Sequence, residues 1–142
     1  MSDMVLDAAV FVAAISPSEI HHAAARDLYD TAPEDRPFLV PSLFGTEVLA
    51  ALARRGESDE LLDTVEVLIS SPRFHPVPID APLIERASEV ARAARLRAFD
   101  AIYAALALER NAALLILDGH VSAKLSEVYP ELRLIGPKPA AD

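Results

Sequence analysis

An α/β fold built on a five-stranded, mainly parallel sheet flanked by helices is what this sequence predicts, and three observations predict it. Short apolar runs rich in β-branched residues recur along the chain, as strands buried on both faces require. Between them lie longer segments whose apolar residues repeat with helical period, the alternation from which parallel sheets and their crossovers are made. One of these segments, "AFDAIYAALALER", is apolar on almost every side, since from Ala98 to Leu108 only Asp100 and Tyr103 carry polar groups. Such a helix belongs at the centre of the domain.

The elements follow in order. The first strand is Met4 to Leu6, inside "MVLDAAVFVAAI", where Asp7 is the only charge, and "AAVFVAAI" packs the start of the next element. In "SPSE", Ser16, Pro17 and Glu19 read as a cap, a first-turn proline and the closing Glu of a capping box, so a helix is expected from Pro17 to about Asp30. Phe38 to Val40 is the second strand, and the helix after it carries Glu47 in its first turns. Leu61, Leu62, Val65, Leu68 and Ile69 mark a further helix that "SSP" stops. His75 to Ile79 is the third strand. Asp80 then caps a helix with Pro82 in its first turn and Leu83, Ile84, Ala87, Val90, Ala91 and Ala94 on its buried side. After the central helix come Leu114 to Leu117 and Leu132 to Ile135, the fourth and fifth strands. Residues 1–136 are expected to form one domain, and residues 137–142, "PKPAAD", a frayed tail.

Composition narrows the function classes. At 142 residues, 52% hydrophobic and 25% charged, the chain has the balance of a globular domain rather than a disordered one. It has no cysteine, which excludes disulfides, thiolate catalysis and Cys-based zinc sites. No apolar run reaches the roughly 18 residues that span a bilayer, and the N-terminus lacks the basic start of a signal peptide, so a soluble protein of the cytoplasm, without membrane partners, is expected. A net charge of −9 argues against a protein that coats nucleic acid. It leaves room for an enzyme that grips a few nucleotides through cations, and eleven arginines against two lysines suit local bidentate contacts.

Four acids stand in apolar surroundings: Asp7, Glu47, Asp100 and Asp118. A buried charge without a partner costs several kcal/mol, so each needs a counter-charge or a shifted pKa. Asp7 ends the first strand and Asp118, in "LLILDGH", ends the fourth; Glu47 and Asp100 lie in the first turns of helices. In an open parallel sheet the ligand crevice lies beyond the carboxyl ends of the strands, where strand order reverses, and residues at strand ends and helix starts share that edge. Four carboxylates together repel unless a cation sits among them, and hard divalent ions take oxygen ligands. The expectation is a Mg²⁺ or Mn²⁺ site. Singly, each acid has a plainer reading: Asp7 and Asp100 as caps, Glu47 as a partner of a helix dipole, Asp118 before Gly119 as a turn residue.

The chain resembles the PIN-domain family, and within it the ribonuclease toxins of VapBC-type toxin–antitoxin modules. The resemblance runs through "VLDAAVFVAAI", "FLVPSLFGTEVLAALARRG", "LRAFDAIYAALALERNAALLILDGHV" and "LRLIG". The family's Asp after strand one falls on Asp7, its Glu after strand two on Glu47, the Asp of its "D-x-x-Y-x-x-A" pattern on Asp100 and its last strand-ending Asp on Asp118. The resemblance implies a three-layer fold, a Mg²⁺- or Mn²⁺-dependent endoribonuclease acting on RNA, a homodimer and inhibition by a small antitoxin. Asp7, Asp100 and Asp118 are then the principal metal ligands, with Glu47 ligating or orienting the attacking water. Two departures stand out. Ala9 replaces the Ser or Asn often found two residues after the first Asp, and Ile116 replaces the Thr or Ser often found two before the last. The loss of such orienting groups lowers metal affinity or activity roughly 10- to 100-fold. The alternative is therefore a weak or inactive PIN-like module that binds a protein or RNA partner through its acidic crevice.

Among the weaker signals, Arg54 and Arg55 follow the Glu47 helix and Arg92, Arg95 and Arg97 precede Asp100. They read as solvated helical faces before they read as phosphate contacts. His21 and His22 point about 100° apart on a helix, which disfavours a shared metal, and His120 reads as a surface residue. Tyr103, one turn beyond Asp100, reads as a core residue whose hydroxyl bonds a carboxylate. A receiver domain fits poorly because Asp7 lacks an adjacent acid and Lys124 and Lys138 lie in the wrong places; a haloacid-dehalogenase-type phosphatase would need an Asp where Ala9 stands.

Overall fold

Five parallel strands in the order β3-β2-β1-β4-β5 form the sheet in a computed structural model that describes residues 3–137. The tail expected from residue 137 onward lies, from 138, outside the described residues. The strands are β1 (Met4–Leu6), β2 (Phe38–Pro41), β3 (Phe74–Val77), β4 (Ala113–Leu115) and β5 (Leu134–Ile135). Seven helices connect and cover them among the described residues: α1 (Ala8–Ile15), α2 (His22–Asp30), α3 (Phe44–Arg54), α4 (Asp59–Ile69), α5 (Ala81–Ala94), α6 (Ala98–Arg110) and α7 (Gly119–Val128). None of these helices is long and apolar enough to cross a membrane.

The strand order carries the functional geometry. From β1 the chain winds outward through β2 to β3, then returns by way of α5 and α6 to the other side of β1. The order therefore reverses between β1 and β4, which makes the crevice beyond their carboxyl ends the predicted ligand position. The register pairs Leu6 with Leu115, so the residues that follow both strands emerge side by side.

Each strand lies where the sequence places it, with ends displaced for identifiable reasons. β3 runs from Phe74 and stops at Val77 rather than Ile79, because Pro78 has no amide to continue the ladder. It tolerates Pro76 because it is an edge strand. β4 ends at Leu115 rather than Leu117, yet the Ile116 amide still donates to the Ile135 carbonyl at 3.0 Å, so the pairing with β5 runs one residue further. β5 is the two residues Leu134 and Ile135 rather than four.

Two helical expectations change. "AAVFVAAI" is a helix of its own, α1, buried on almost every side. The helix expected from Pro17 begins instead at His22, after a turn. Ser16 does not close a capping box: it is fully buried and its hydroxyl donates to Glu57 Oε1 at 2.9 Å. Asp80 does cap α5, its Oδ1 accepting from the Leu83 amide at 3.0 Å, with Pro82 in the first turn. On one side of the sheet the rings of Phe11, Tyr29, Phe38, Phe44 and Phe74 pack together at centroid separations from 5.3 to 6.0 Å. On the other, α6 buries every residue from Ala101 to Ala107 against β1, β2 and β4. Its alanines let it lie close to the strands, which fixes where its first turn meets the sheet edge.

Candidate active site

Asp7 follows β1 directly, and its amide donates to the Leu115 carbonyl at 3.2 Å, so the backbone that carries it is tied to the neighbouring strand. It occupies the N-cap position of α1 yet its side chain makes no cap hydrogen bond. Burial, followed by the charges of Asp100 and Glu47, raises its carboxyl from the ordinary 3.8 to about 7, although the nearby Ala9 and Ala8 amides pull the other way.

Glu47 lies in the first turns of α3, half-buried. Burial raises its pKa, the Tyr103 hydroxyl opposes the rise, and Asp100 adds to it. That hydroxyl donates to Glu47 Oε1 at 2.8 Å from a ring only 2% exposed, which realises the expected role of Tyr103. Repulsion by Glu47 and Asp7, together with burial, raises the phenol's own pKa, so the proton stays on the tyrosine.

Asp100 is the third residue of α6. Burial raises its pKa; Arg97, with Nε 3.8 Å from Oδ2, and Lys124 lower it, and Asp118 raises it. Asp118 caps α7, its Oδ1 accepting from the His120 and Val121 amides at 2.9 and 3.1 Å. Asp118, expected as a turn residue before Gly119, is a cap, and that accounts for one of its oxygens. Glu47 stands in the first turn of α3, as the helix-dipole reading expects, and Asp7 takes the N-cap position of α1, whereas Asp100 is not a cap, since Arg97 holds that position in α6. Asp100 is the hub of the four, repelled by or repelling each of the other three.

Glu47, Asp100 and Asp118 meet in a cleft of about 1100 Å³, which they line together with Ala8, Ala9, Thr46 and the arginines Arg54, Arg55 and Arg97. Asp7 does not line it; its chain neighbours Ala8 and Ala9 do. Among the described residues no three acids are drawn tightly enough to enclose an ion; the set is an open constellation of like charges. The donors are nonetheless all carboxylate oxygens, three of them with raised pKa values, and a set of this kind is neutralised by protons or by a hard cation such as Mg²⁺ or Mn²⁺. The donor chemistry fits the ion that the sequence suggests.

The wall opposite the acids is built from distant segments. Arg55 pairs with Glu19, and Ser16 bonds Glu57, so the turn after α1 is fastened to the end of α3. Sequence reading did not assign Glu19, His21, Thr46 or Phe99 to the cleft; Thr46, directly before Glu47, and Phe99, directly before Asp100, had neighbours that would have signalled them. Arg54, Arg55 and Arg97 reach the cleft, whereas Arg92 and Arg95 do not line it. His120 is exposed beyond it, and His22 bonds the Ala13 carbonyl through Nδ1 at 2.8 Å. Ala9 is exposed within the cleft, and Ile116 is only 4% exposed, in the core.

Tyr103→Phe removes the hydroxyl that holds Glu47 without opening a cavity. The expected result is a roughly 10-fold loss of activity, within the range for groups that orient a site's carboxylates. Because that hydroxyl holds the Glu47 pKa down, the acid limb of the pH–rate profile should move to higher pH. An unmoved limb would show that the bond does not tune the site.

The PIN domain family model matches residues 4–125. Several solved structures share the fold. VapC20 of Mycobacterium tuberculosis, described as a sarcin–ricin loop cleaving toxin, is 19% identical, with a TM-score of 0.72 over 85% of this chain and 94% of its own. VapBC2 of Rickettsia felis, solved bound to a DNA fragment from its promoter, is 15% identical, with a TM-score of 0.70 over 95% of this chain and 98% of its own. A toxin–antitoxin complex from Klebsiella pneumoniae is 15% identical, with a TM-score of 0.73 over 98% of this chain and 100% of its own. Among curated protein sequences none matches the chain.

Proposed function

The chain belongs to the PIN domain family, and we propose that within it this protein is a Mg²⁺- or Mn²⁺-dependent endoribonuclease, the toxin of a type II toxin–antitoxin pair. The observation that carries the reading is the convergence of Glu47, Asp100 and Asp118 on one cleft at the switch point of the sheet, with Asp7 at the end of β1 next to the cleft residues Ala8 and Ala9. Asp7, Asp100, Asp118 and Glu47 would hold the cation. When bound, the cation supplies a nucleophilic water at neutral pH and offsets charge on the phosphate and the leaving oxygen.

The chain's own groups divide the remaining work. Glu47 has Oε1 fixed by Tyr103, which leaves Oε2 to orient the attacking water and take its proton; the raised pKa of Glu47 suits it to that task. Asp118 commits Oδ1 to the start of α7 and keeps Oδ2 for the cleft. Arg54 and Arg97, both exposed at its rim, can hold phosphates on either side of the scissile bond. Placing a few guanidinium groups there lets a protein of net charge −9 engage RNA locally.

An antitoxin partner is inferred from the fold shared with solved toxin–antitoxin complexes, and a homodimer and a cytoplasmic setting complete the proposal. A second reading follows from Ala9, which lines the cleft with a methyl group: the site binds a cation and partner but cleaves slowly. The test is incubation with a panel of structured RNAs, including a sarcin–ricin loop hairpin, in Mg²⁺, Mn²⁺ or EDTA. Cleavage at discrete positions in either metal and none in EDTA is expected. Cleavage that persists in EDTA would overturn the metal-dependent mechanism, and cation binding without cleavage would favour the second reading.

A further inference from the structure

Phe99 is out of place as a hydrophobic residue. The chain has five phenylalanines; Phe11, Phe38, Phe44 and Phe74 are buried and packed ring against ring, whereas Phe99 is 55% exposed and has no ring partner among the described residues. Burying a phenyl ring is worth roughly 1.5–3 kcal/mol, so its exposure is not a folding requirement. It stands on the first turn of α6, directly before Asp100, and lines the same cleft as the acids. Beside it in the chain, two residues back, Arg97 holds out a side chain 89% exposed, and Arg54, Ala50 and Ala51 line the same cleft.

An exposed aromatic face and nearby guanidinium groups are the parts with which proteins hold single nucleotides: the base stacks on the ring while its phosphates meet the arginines. We propose that Phe99 is a base-stacking platform that selects RNA in which a nucleotide next to the scissile phosphate is unpaired. Inside a helix both faces of a base are covered by its neighbours, so only a loop, bulge or end can present a free face to the ring. This deepens the nuclease reading and rests on it. It assigns the acids to bond cleavage and Phe99, with Arg97, to the choice of substrate.

The chain contains no tryptophan, so Phe99→Trp carries the sole indole and reports stacking by its fluorescence. In Mn²⁺, a single-stranded eight-nucleotide oligodeoxyadenylate should quench it saturably, and a relaxed, covalently closed circular duplex, which has no ends, should not. On an RNA hairpin that the unaltered protein cleaves, Phe99→Ala should raise KM roughly 5- to 100-fold, the range set by loss of one stacked base, with kcat within about 3-fold. Phe99→Trp should keep KM near that of the unaltered protein. Equal quenching by duplex and single strand, or an unchanged KM in Phe99→Ala, overturns the proposal and leaves the nuclease reading standing. A Phe99→Ala protein whose oligomeric mass or antitoxin affinity changes while KM does not would make the ring a protein-contact surface instead. Quenching by the single strand alone, in a protein whose unaltered form cleaves no RNA, would uphold stacking and reject the nuclease reading.

Discussion

Asp7→Asn is expected to lower RNA cleavage on the order of 10³-fold, the scale for removing a group that stabilises charge in the transition state, while leaving the protein folded. The substitution keeps the shape of the side chain and removes only its charge. Asp7 is the most perturbed carboxylate of the four, raised to about 7 chiefly by burial and then by Asp100 and Glu47. The Ala8 and Ala9 amides favour the charged form, but an amide oxygen in the same place still accepts from them, and the backbone tie of residue 7 to Leu115 survives the change. Steady-state cleavage of a hairpin RNA, beside a thermal melt of the same preparation, separates the two effects. A variant that cleaves as well as the unaltered protein would remove Asp7 from the site; a variant that fails to fold would show the carboxylate to be structural.

In EDTA, the stability difference between the unaltered protein and Asp7→Asn is expected to depend on pH in a direction set by the raised pKa. Below about pH 4 folded and unfolded chains both hold the Asp7 proton, and ionisation costs nothing. As pH rises from about 4 to 7 the unfolded chain releases that proton while the folded chain keeps it, so the folded state loses ground at up to about 1.4 kcal/mol per pH unit. Above pH 7 the penalty is constant, and for a partly accessible group it amounts to roughly 2–4 kcal/mol. The contribution is thus fully favourable at low pH and lost as pH passes through the folded-state value. Asp7→Asn should be the more stable protein at pH 8 and lose that advantage by pH 4. Adding Mn²⁺ at pH 8 should stabilise the unaltered protein and act weakly on the variant, because the cation favours the ionised carboxylate. Denaturant melts at pH 4, 6 and 8 measure this; a difference that does not change with pH would show that Asp7 is not held in a repulsive, desolvated setting.

Much of the fold is written locally. The strands announce themselves as β-branched runs, and the burial of Ala101 to Ala107 follows from a helix with scarcely a polar face. What the sequence hides is decided at a distance. "AAVFVAAI" is apolar on all sides, so it offers no periodic contrast from which to read α1 as a separate helix. Ser16 has every local mark of a helix start, but Glu57, 41 positions away, takes its hydroxyl and the helix waits until His22. Propensity lost there to a tertiary hydrogen bond.

The acids were legible for the opposite reason. A carboxylate in an apolar run conflicts with its surroundings, and the strand order explains how four such conflicts share one edge. The walls of the cleft were not legible, because Glu19 and Arg55 meet only after α1 and α3 have packed. Phe99 was read as part of an all-apolar helix, yet the first turn of α6 projects beyond the sheet and leaves Ala98 and Phe99 exposed. Exposure at the end of a buried helix depends on where the strands stop, which the helix's own residues do not record.

Whether Asp7, Glu47, Asp100 and Asp118 act together as a divalent-cation site is tested most directly by calorimetric titration of Mn²⁺ into the protein at pH 7, in two buffers of different ionisation enthalpy. Saturable binding with net proton release is expected in the unaltered protein, since Asp7 is partly protonated at that pH. In Asp7→Asn, binding should weaken and proton release fall. Equal affinity and equal proton release in the two proteins would contradict a shared cation site.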